Sequence, residues 1–184
     1  EAKEGIWNKL RAYGINKEDK LILVNPGEGI LPLREWPLEN FVVLCKKLLE
    51  DIRNYIVIVG TENAFKEGEE LLRTIKNKRC INLAGKTNLF ELLNLFSISM
   101  ELIINDCGLA HLASLTNIKK IILFGPERPD VYSPLGENNW IVYLGLPCSP
   151  CLSAFNHRRS ACRNNICLKM IESEDVYKLV TEYL

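Results

Sequence analysis

Neither sign of charge is in surplus in this 184-residue sequence: Lys plus Arg and Asp plus Glu each total 23, for a formal net charge of zero. Nucleic-acid-binding domains ordinarily carry a basic surplus, so the balance argues against a nucleic-acid partner. No apolar run approaches the roughly 20 residues of a membrane-spanning helix. The opening residues Glu1-Ala2-Lys3-Glu4 lack the basic-then-apolar pattern of a secretory signal, and no Asn-x-Ser/Thr acceptor occurs. Internal repeats and low-complexity tracts are also missing. What is left is a cytoplasmic protein, folded as one domain over residues 1–184 and long enough to bury a core.

Short runs rich in Ile, Val and Leu occur at Leu21–Val24, Tyr55–Val59, Cys80–Leu83, Leu102–Ile104, Lys120–Phe124 and Trp140–Leu144. Most show no polar alternation, as expected of parallel strands covered on both faces. Helical spacing lies between them. Phe41, Leu44, Cys45, Leu48 and Leu49 follow Pro37, and Leu89, Leu92, Leu93 and Phe96 follow Asn88, with Glu91 three residues on as a capping partner. Val176, Leu179, Val180 and Tyr183 form a closing helix over 173–184, and residues 1–20 read as a linker with a first helix at Ile6–Tyr13. Strand–helix alternation with short connections predicts an α/β fold: a doubly wound, Rossmann-like parallel sheet of about six strands.

In such a sheet, ligands bind beyond the carboxyl ends of the strands. Several candidates fall there. The first strand ends in Asn25-Pro26-Gly27-Glu28-Gly29, a loop whose glycines allow backbone N–H groups close to a phosphate, although ordinary tight turns use the same residues. Arg34, before Trp36-Pro37, reads either as a forked phosphate donor or as a solvated arginine beside a packed tryptophan. Glu62, just past the second strand, stands where nucleotide folds hold a ribose hydroxyl, or simply favours a helix dipole. Gly85-Lys86-Thr87 contains Gly-Lys-Thr without the earlier glycine of a P-loop. The densest segment is Asn105-Asp106-Cys107-Gly108-Leu109-Ala110-His111, a strand end running into a helix start with a carboxylate, a close-approach glycine and an imidazole. Gly125-Pro126 ends the next strand.

Seven cysteines are unevenly placed. Cys45, Cys80 and Cys107 lie in segments that look buried, where free thiols act as small core residues. Cys148, Cys151, Cys162 and Cys167 crowd the segment 148–170 as C-x2-C-x10-C-x4-C. Four thiolates on two knuckles suit a structural zinc ion, with His157 as a substitute ligand; disulfides or reduced thiols are the alternatives. The same segment carries Arg158, Arg159, Arg163 and Lys169. These residues suit an anionic acceptor or peripheral contact with the inner membrane face, or form a solvated basic loop.

In order, Asn25-Pro26-Gly27, Arg34-x-Trp36-Pro37, Gly60-x-Glu62, Gly85-Lys86-Thr87, Asn105-Asp106-x-Gly108-x-x-His111 and Phe124-Gly125-Pro126-x-x-Pro129 resemble the C-terminal half of glycosyltransferase family 9, the lipopolysaccharide heptosyltransferases. The resemblance runs from about Leu21 to the final helix. It implies a GT-B architecture in which this half binds a nucleotide-sugar donor such as ADP-heptose, for an inverting transfer that needs no metal or other cofactor. It implies donor contacts at Asn25, Gly27, Arg34, Glu62, Lys86, Asp106, Gly108, His111 and Gly125, with Arg34 on the diphosphate and Glu62 on the ribose. Cys107 departs from the Ser or Thr of many relatives, so a hydroxyl contact is missing there. The acceptor site, for a glycan or glycolipid, and the general base belong to an N-terminal domain outside this chain, so the chain alone is expected to bind donor without transferring sugar. Two other readings stay open at this point: a non-catalytic nucleotide-binding module, and a zinc-organised interaction module.

Overall fold

The structure is a computed structural model that describes residues 2–27 and 31–182. Six strands, β1 (Lys20–Asn25), β2 (Asn54–Ile58), β3 (Cys80–Asn82), β4 (Glu101–Asn105), β5 (Lys119–Leu123) and β6 (Asn139–Val142), form one sheet in the order β3-β2-β1-β4-β5-β6. Every neighbouring pair is parallel. This is the Rossmann order, and its reversal point falls between β1 and β4. The predicted α/β class and strand number both hold.

Burial of both faces explains the unbroken apolar runs, because successive side chains of a strand point to opposite sides. Leu21, Leu23, Ile104, Ile122 and Phe124 face one layer, formed by α1 (Ala2–Arg11), α4 (Leu89–Ile98) and α5 (Gly108–Ala113). Ile22, Val24, Ile103, Ile121 and Leu123 face the other, formed by α2 (Leu38–Leu48), α3 (Phe65–Ile75) and α8 (Ser173–Glu182). Two short helices, α6 (Pro129–Tyr132) and α7 (Ile166–Lys169), complete the elements. Cys45 and Cys80 lie in the second core layer, where burial pushes both thiols up, Cys80 to about 12. Among the described residues no helix is long and apolar enough to cross a membrane.

The predicted capping box is present: the Asn88 side chain accepts from Glu91 N–H, and the Glu91 carboxylate accepts from Asn88 N–H, both at 2.9 Å. Glu91 also receives Lys9 at 2.7 Å, which joins α1 to α4. Ile6 and Leu10 are fully buried, so the first helix is part of the domain's own core. The closing helix is described to Glu182; Tyr183, counted in its apolar stripe, lies outside the described residues.

Helix α3 had no counterpart among the predicted elements. Its buried side is Gly68, Leu71 and Ile75, continued from Ala64. A Cβ at Gly68 would stand 2.8 Å from the Asn82 side chain, so glycine lets this helix settle on the end of β3. Gly60, after β2, has φ +154°, and a Cβ there would fall 2.5 Å from Ala64 Cβ and 2.8 Å from Asn25 Nδ2. Gly60→Ala is therefore expected to cost about 2 kcal/mol or more, lowering Tm by several degrees in thermal unfolding.

Glu101 opens β4 with 1% exposure, and neither carboxyl oxygen has a hydrogen-bond partner. Burial pushes its pKa up to about 8 against the opposing pull of Lys119. The folded state thus keeps a proton that the unfolded chain releases near the ordinary value of 4.5, and stability falls as pH rises from there to about 8. Thermal melts across pH 5 to 8 are expected to show Tm declining, and Glu101→Gln, neutral throughout, to show a smaller decline.

Candidate functional site

The reversal point between β1 and β4 opens a cavity of about 180 Å³ lined by Asn25, Gly27, Leu31, Arg34, Glu35, Asn105, Asp106, Cys107 and Gly108. Asn105 holds it open. Its side chain donates to Pro26 O at 3.1 Å and accepts from Trp36 N–H at 2.9 Å, tying the loop after β1 to the start of α2. Trp36 is itself fixed: it is 1% exposed, it packs edge-on against Phe41 at 4.8 Å, and its indole N–H donates to Ile171 O at 2.9 Å. Asn25, fully buried at the end of β1, donates to Val59 O at 2.9 Å, while its Oδ1 has no partner. Gly27 has φ +140°, and a Cβ there would run into the Glu35 side chain at 2.7 Å. Gly29, the second glycine expected in this loop, lies outside the described residues.

Arg34 ends a 3-10 turn at Pro32–Arg34 and reaches across the reversal point. Its Nε donates to the Asp106 carbonyl at 2.9 Å, a bond that Nη2 shares, and lies 3.5 Å from the Asp106 carboxylate. Its Nη1 lies 3.6 Å from Glu127 Oε2. Glu127, beyond β5, is 1% exposed and also accepts from Arg158 Nε at 2.9 Å. Burial pushes the Asp106 carboxyl up, to about 7; Arg34 pulls it down, and the neighbouring Glu127 carboxyl pushes it further up. Four charged groups from four separate segments therefore meet behind the cavity wall. Guanidinium groups held by carboxylates in this way can bind a phosphate while keeping their orientation.

A second, shallower cavity of about 300 Å³ lies further along the same edge, lined by Glu62, Phe65, Ala84, Gly85 and Lys86. Lys86 Nζ donates to Asn82 O at 3.0 Å and sits 5.1 Å from the Phe65 ring centroid. Gly85 has φ +69°, and a Cβ there would come within 3.1 Å of the Glu62 backbone. The candidate residues thus divide. Asn25, Gly27, Arg34, Asp106 and Gly108 line the first cavity, and Glu62 and Lys86 the second. His111 is exposed one turn into α5 and lines neither. Gly125 faces α7: a Cβ on it would stand 2.6 Å from Leu168 Cγ and 3.0 Å from Cys167 Sγ.

The expected zinc site does not form. Among the described residues no group of three or more His, Cys, Asp or Glu side chains is arranged to hold a metal ion. Cys167 is turned inward on α7 against Gly125, Cys148 is exposed, and Cys162 Sγ donates to Asn164 O at 3.1 Å. His157, the substitute ligand, is exposed with φ +51°. The C-x2-C-x10-C-x4-C spacing is therefore not realised as a convergent set.

Sequence reasoning missed Glu127 as a site residue, gave Asn105 no contact of its own within the segment it singled out, and read Arg158 as part of a basic tail for an anionic acceptor, a membrane surface or solvent. Glu127 carries one readable signal, an acidic residue just past the carboxyl end of a central strand. Its pairing with Arg158, 31 residues on, carries none.

Comparison with known proteins accords with this geometry. The family model for glycosyltransferase family 9 (heptosyltransferase) matches residues 6–161. Lipopolysaccharide heptosyltransferase 2 of Escherichia coli K12 is 28% identical over 135 residues, covering 72% of this chain and 38% of that protein. Lipooligosaccharide heptosyltransferase 2 of Haemophilus influenzae Rd is 32% identical over 123 residues, covering 65% and 35%. The structure of E. coli ADP-heptose lipopolysaccharide heptosyltransferase II superposes with a TM-score of 0.79 at 23% identity, over 99% of this chain and 50% of that one. The chain thus spans less than half the length of the curated relatives it matches. With a family match over most of its length and the family's half-molecule fold in hand, this chain belongs to glycosyltransferase family 9.

Proposed function

We propose that this chain is the nucleotide-sugar donor half of an inverting heptosyltransferase that takes ADP-heptose as donor in lipopolysaccharide assembly. The observation that carries this reading is the meeting of Arg34 and Asp106 across the reversal point, in a chain of this family. In the proposed complex the diphosphate lies in the first cavity, against Arg34 and the backbone of Gly27 and Gly108, with Asn25 at its floor. Asp106 and His111 stand towards the sugar. The nucleoside runs along the strand edge to the second cavity, where Glu62 accepts from ribose hydroxyls and Lys86 borders the base. Phe65 and Gly85 offer that base an apolar face. Gly125 contributes indirectly, by letting α7 pack beneath the loop after β5.

Inverting transfer requires the acceptor hydroxyl to attack the anomeric carbon opposite the leaving nucleoside diphosphate. A base takes the hydroxyl proton as the bond to the diphosphate oxygen breaks. Arg34 meets the charge that develops on that oxygen; such electrostatic stabilisation needs no metal in the transfer step. The base and the glycan or glycolipid acceptor site belong to a partner domain of the whole enzyme, so this chain by itself binds donor and transfers no sugar. The enzyme works in the cytoplasm. The exposed Phe155, in a segment that also carries the exposed Arg159 and Arg163, supports contact with the anionic inner membrane face, where a lipid-linked acceptor is held.

ADP at a hundred times its Kd should stabilise the chain by about 2.7 kcal/mol, a Tm rise of roughly 5–10 °C in thermal unfolding. Arg34→Ala is expected to weaken binding by about tenfold to a hundredfold, the worth of a charged hydrogen bond. The absence of any shift with ADP or ADP-sugars would overturn the donor-binding reading. Glu62→Ala should weaken ADP and adenosine alike and leave inorganic diphosphate unaffected, in calorimetric titrations of all three.

A further inference from the structure

The proposed donor occupies only part of the ligand edge. Its diphosphate lies between β1 and β4, and its nucleoside runs towards β2 and β3. The β5 side of the edge is left for the sugar and for the group that attacks it. Glu127 follows β5 there, and its two oxygens hold two guanidinium groups: Arg34 Nη1 lies 3.6 Å from Oε2, and Arg158 Nε donates to Oε1 at 2.9 Å. The two arginines differ in what they leave free. Arg34 lines the first cavity and is engaged by the Asp106 carbonyl and by two carboxylates. Arg158 lines neither the first nor the second cavity, and its side chain is 46% exposed. Within the described residues only its Nε is bonded; Nη1 and Nη2 make no hydrogen bond there.

The segment that delivers Arg158 is fastened to the loop after β5. Cys151 and the buried Leu152 both donate backbone N–H to Pro126 O at 2.8 Å, and Ala154 N–H donates to Tyr132 Oη at 3.0 Å. Asn156 accepts from Ser153 N–H at 2.9 Å and donates to Cys151 O at 3.0 Å. The turn closes with Arg158 N–H on Ser153 O at 2.9 Å, through two successive left-handed residues, His157 at φ +51° and Arg158 at φ +52°. Side chains disfavour that region, and backbone strain of this kind collects at ligand-binding positions. The guanidinium itself sits 5.8 Å from the Tyr132 ring centroid.

We infer that Arg158 is a binding residue for the acceptor: its free Nη fork takes a phosphate or carboxylate carried by the acceptor glycan, beside the sugar to be transferred. This rests on the donor-binding reading and adds to it one acceptor contact supplied by this chain; the rest of the acceptor site stays with the partner domain. A planar fork meets such an oxyanion through two parallel N–H···O bonds, which fix orientation as well as position. Glu127 is the positioning residue of that fork, 1% exposed and bonded to its Nε. Because the same carboxylate also pairs with Arg34, the acceptor's anion and the donor's diphosphate are set in one frame.

The test is an NMR titration of the whole isotope-labelled chain, saturated with ADP, using glucose 6-phosphate as the probe and glucose as its uncharged control. Glucose 6-phosphate is expected to bind saturably at about millimolar Kd, without displacing ADP, and to shift the signals of residues 153–158. Glucose should shift nothing. Arg158→Ala should weaken glucose 6-phosphate by about tenfold or more. Arg128→Ala, which removes an equal charge one residue from Glu127, should leave it unchanged. If Arg158→Ala does not fold, the double variant Glu127→Gln with Arg158→Gln removes both charges together and carries the same expectation. Absence of binding to the ADP-saturated parent chain would overturn the inference with no variant needed. Displacement of ADP by glucose 6-phosphate would overturn it too, by putting the anion in the donor site. So would equal loss in Arg158→Ala and Arg128→Ala, which makes the attraction diffuse, and so would binding to phosphatidylglycerol vesicles with none to glucose 6-phosphate, which makes the contact a membrane one. In each of these cases ADP still binds and the donor reading stands. Failure of ADP to bind the parent chain overturns the donor reading instead, and the acceptor assignment with it.

Discussion

The parallel pairing of β1 with β4 is the constraint on which the ligand edge depends. Loops leaving these two strands head for opposite halves of the sheet, so a cleft is unavoidable at their carboxyl ends. The sequence then fills that cleft with side chains that bridge it. Asn105 joins the loop after β1 to the start of α2, and Arg34 reaches back to the Asp106 carbonyl. Each bridge satisfies backbone groups that the diverging strands leave unpaired, so the same contacts that stabilise the fold shape the cavity.

Burial dominates the electrostatics of this edge. Asp106 and Glu127 are nearly enclosed, and two arginines offset part of the desolvation that ionised carboxylates would suffer. Replacing either arginine would strand a buried carboxyl, which explains how an exposed tail segment bears on an interior group. The contrast with Glu101 is instructive. There a buried carboxyl meets no arginine and stays protonated well past neutrality, at the end of the sheet away from the ligand edge.

Much of this was readable from the chain. The six apolar runs gave the strands because both faces of the sheet are covered, and Asn88 with Glu91 gave the start of α4 because a capping box is a local signal. The segment from Asn105 to His111 pointed to the ligand edge for the same reason. Helix α3 escaped notice because its buried stripe begins with Ala64 and Gly68, whose small size serves close packing against Asn82 and produces no hydrophobic signal. The cysteine spacing misled in the opposite way: sequence separation fixes how far apart two thiols can be, not which way each one faces, and Cys167 faces the core. Glu127 and Arg158 were illegible as a pair because nothing local couples a post-strand turn to a tail.

Trp36 carries a consequence for how the protein is made. Its indole bonds to Ile171 O, a contact spanning 135 residues, and Asn165 donates to Glu35 O at 2.8 Å across 130 more of chain separation of its own. A chain emerging from its amino end therefore completes β1, β2 and β4 long before Ile171, the partner of the Trp36 indole, exists. The segment that bears Arg34 can meet Asn105 and Asp106 once β4 is made, but its contacts to Ile171 and Asn165 wait until those residues have been synthesised and α7 has packed under Gly125. Contacts of such long range are the slow steps of folding, so the sheet forms first and the anion-binding corner is finished last. During that interval a nascent chain has its frame without its full ligand grip, which is completed when the segment through Ile171 folds back on Trp36.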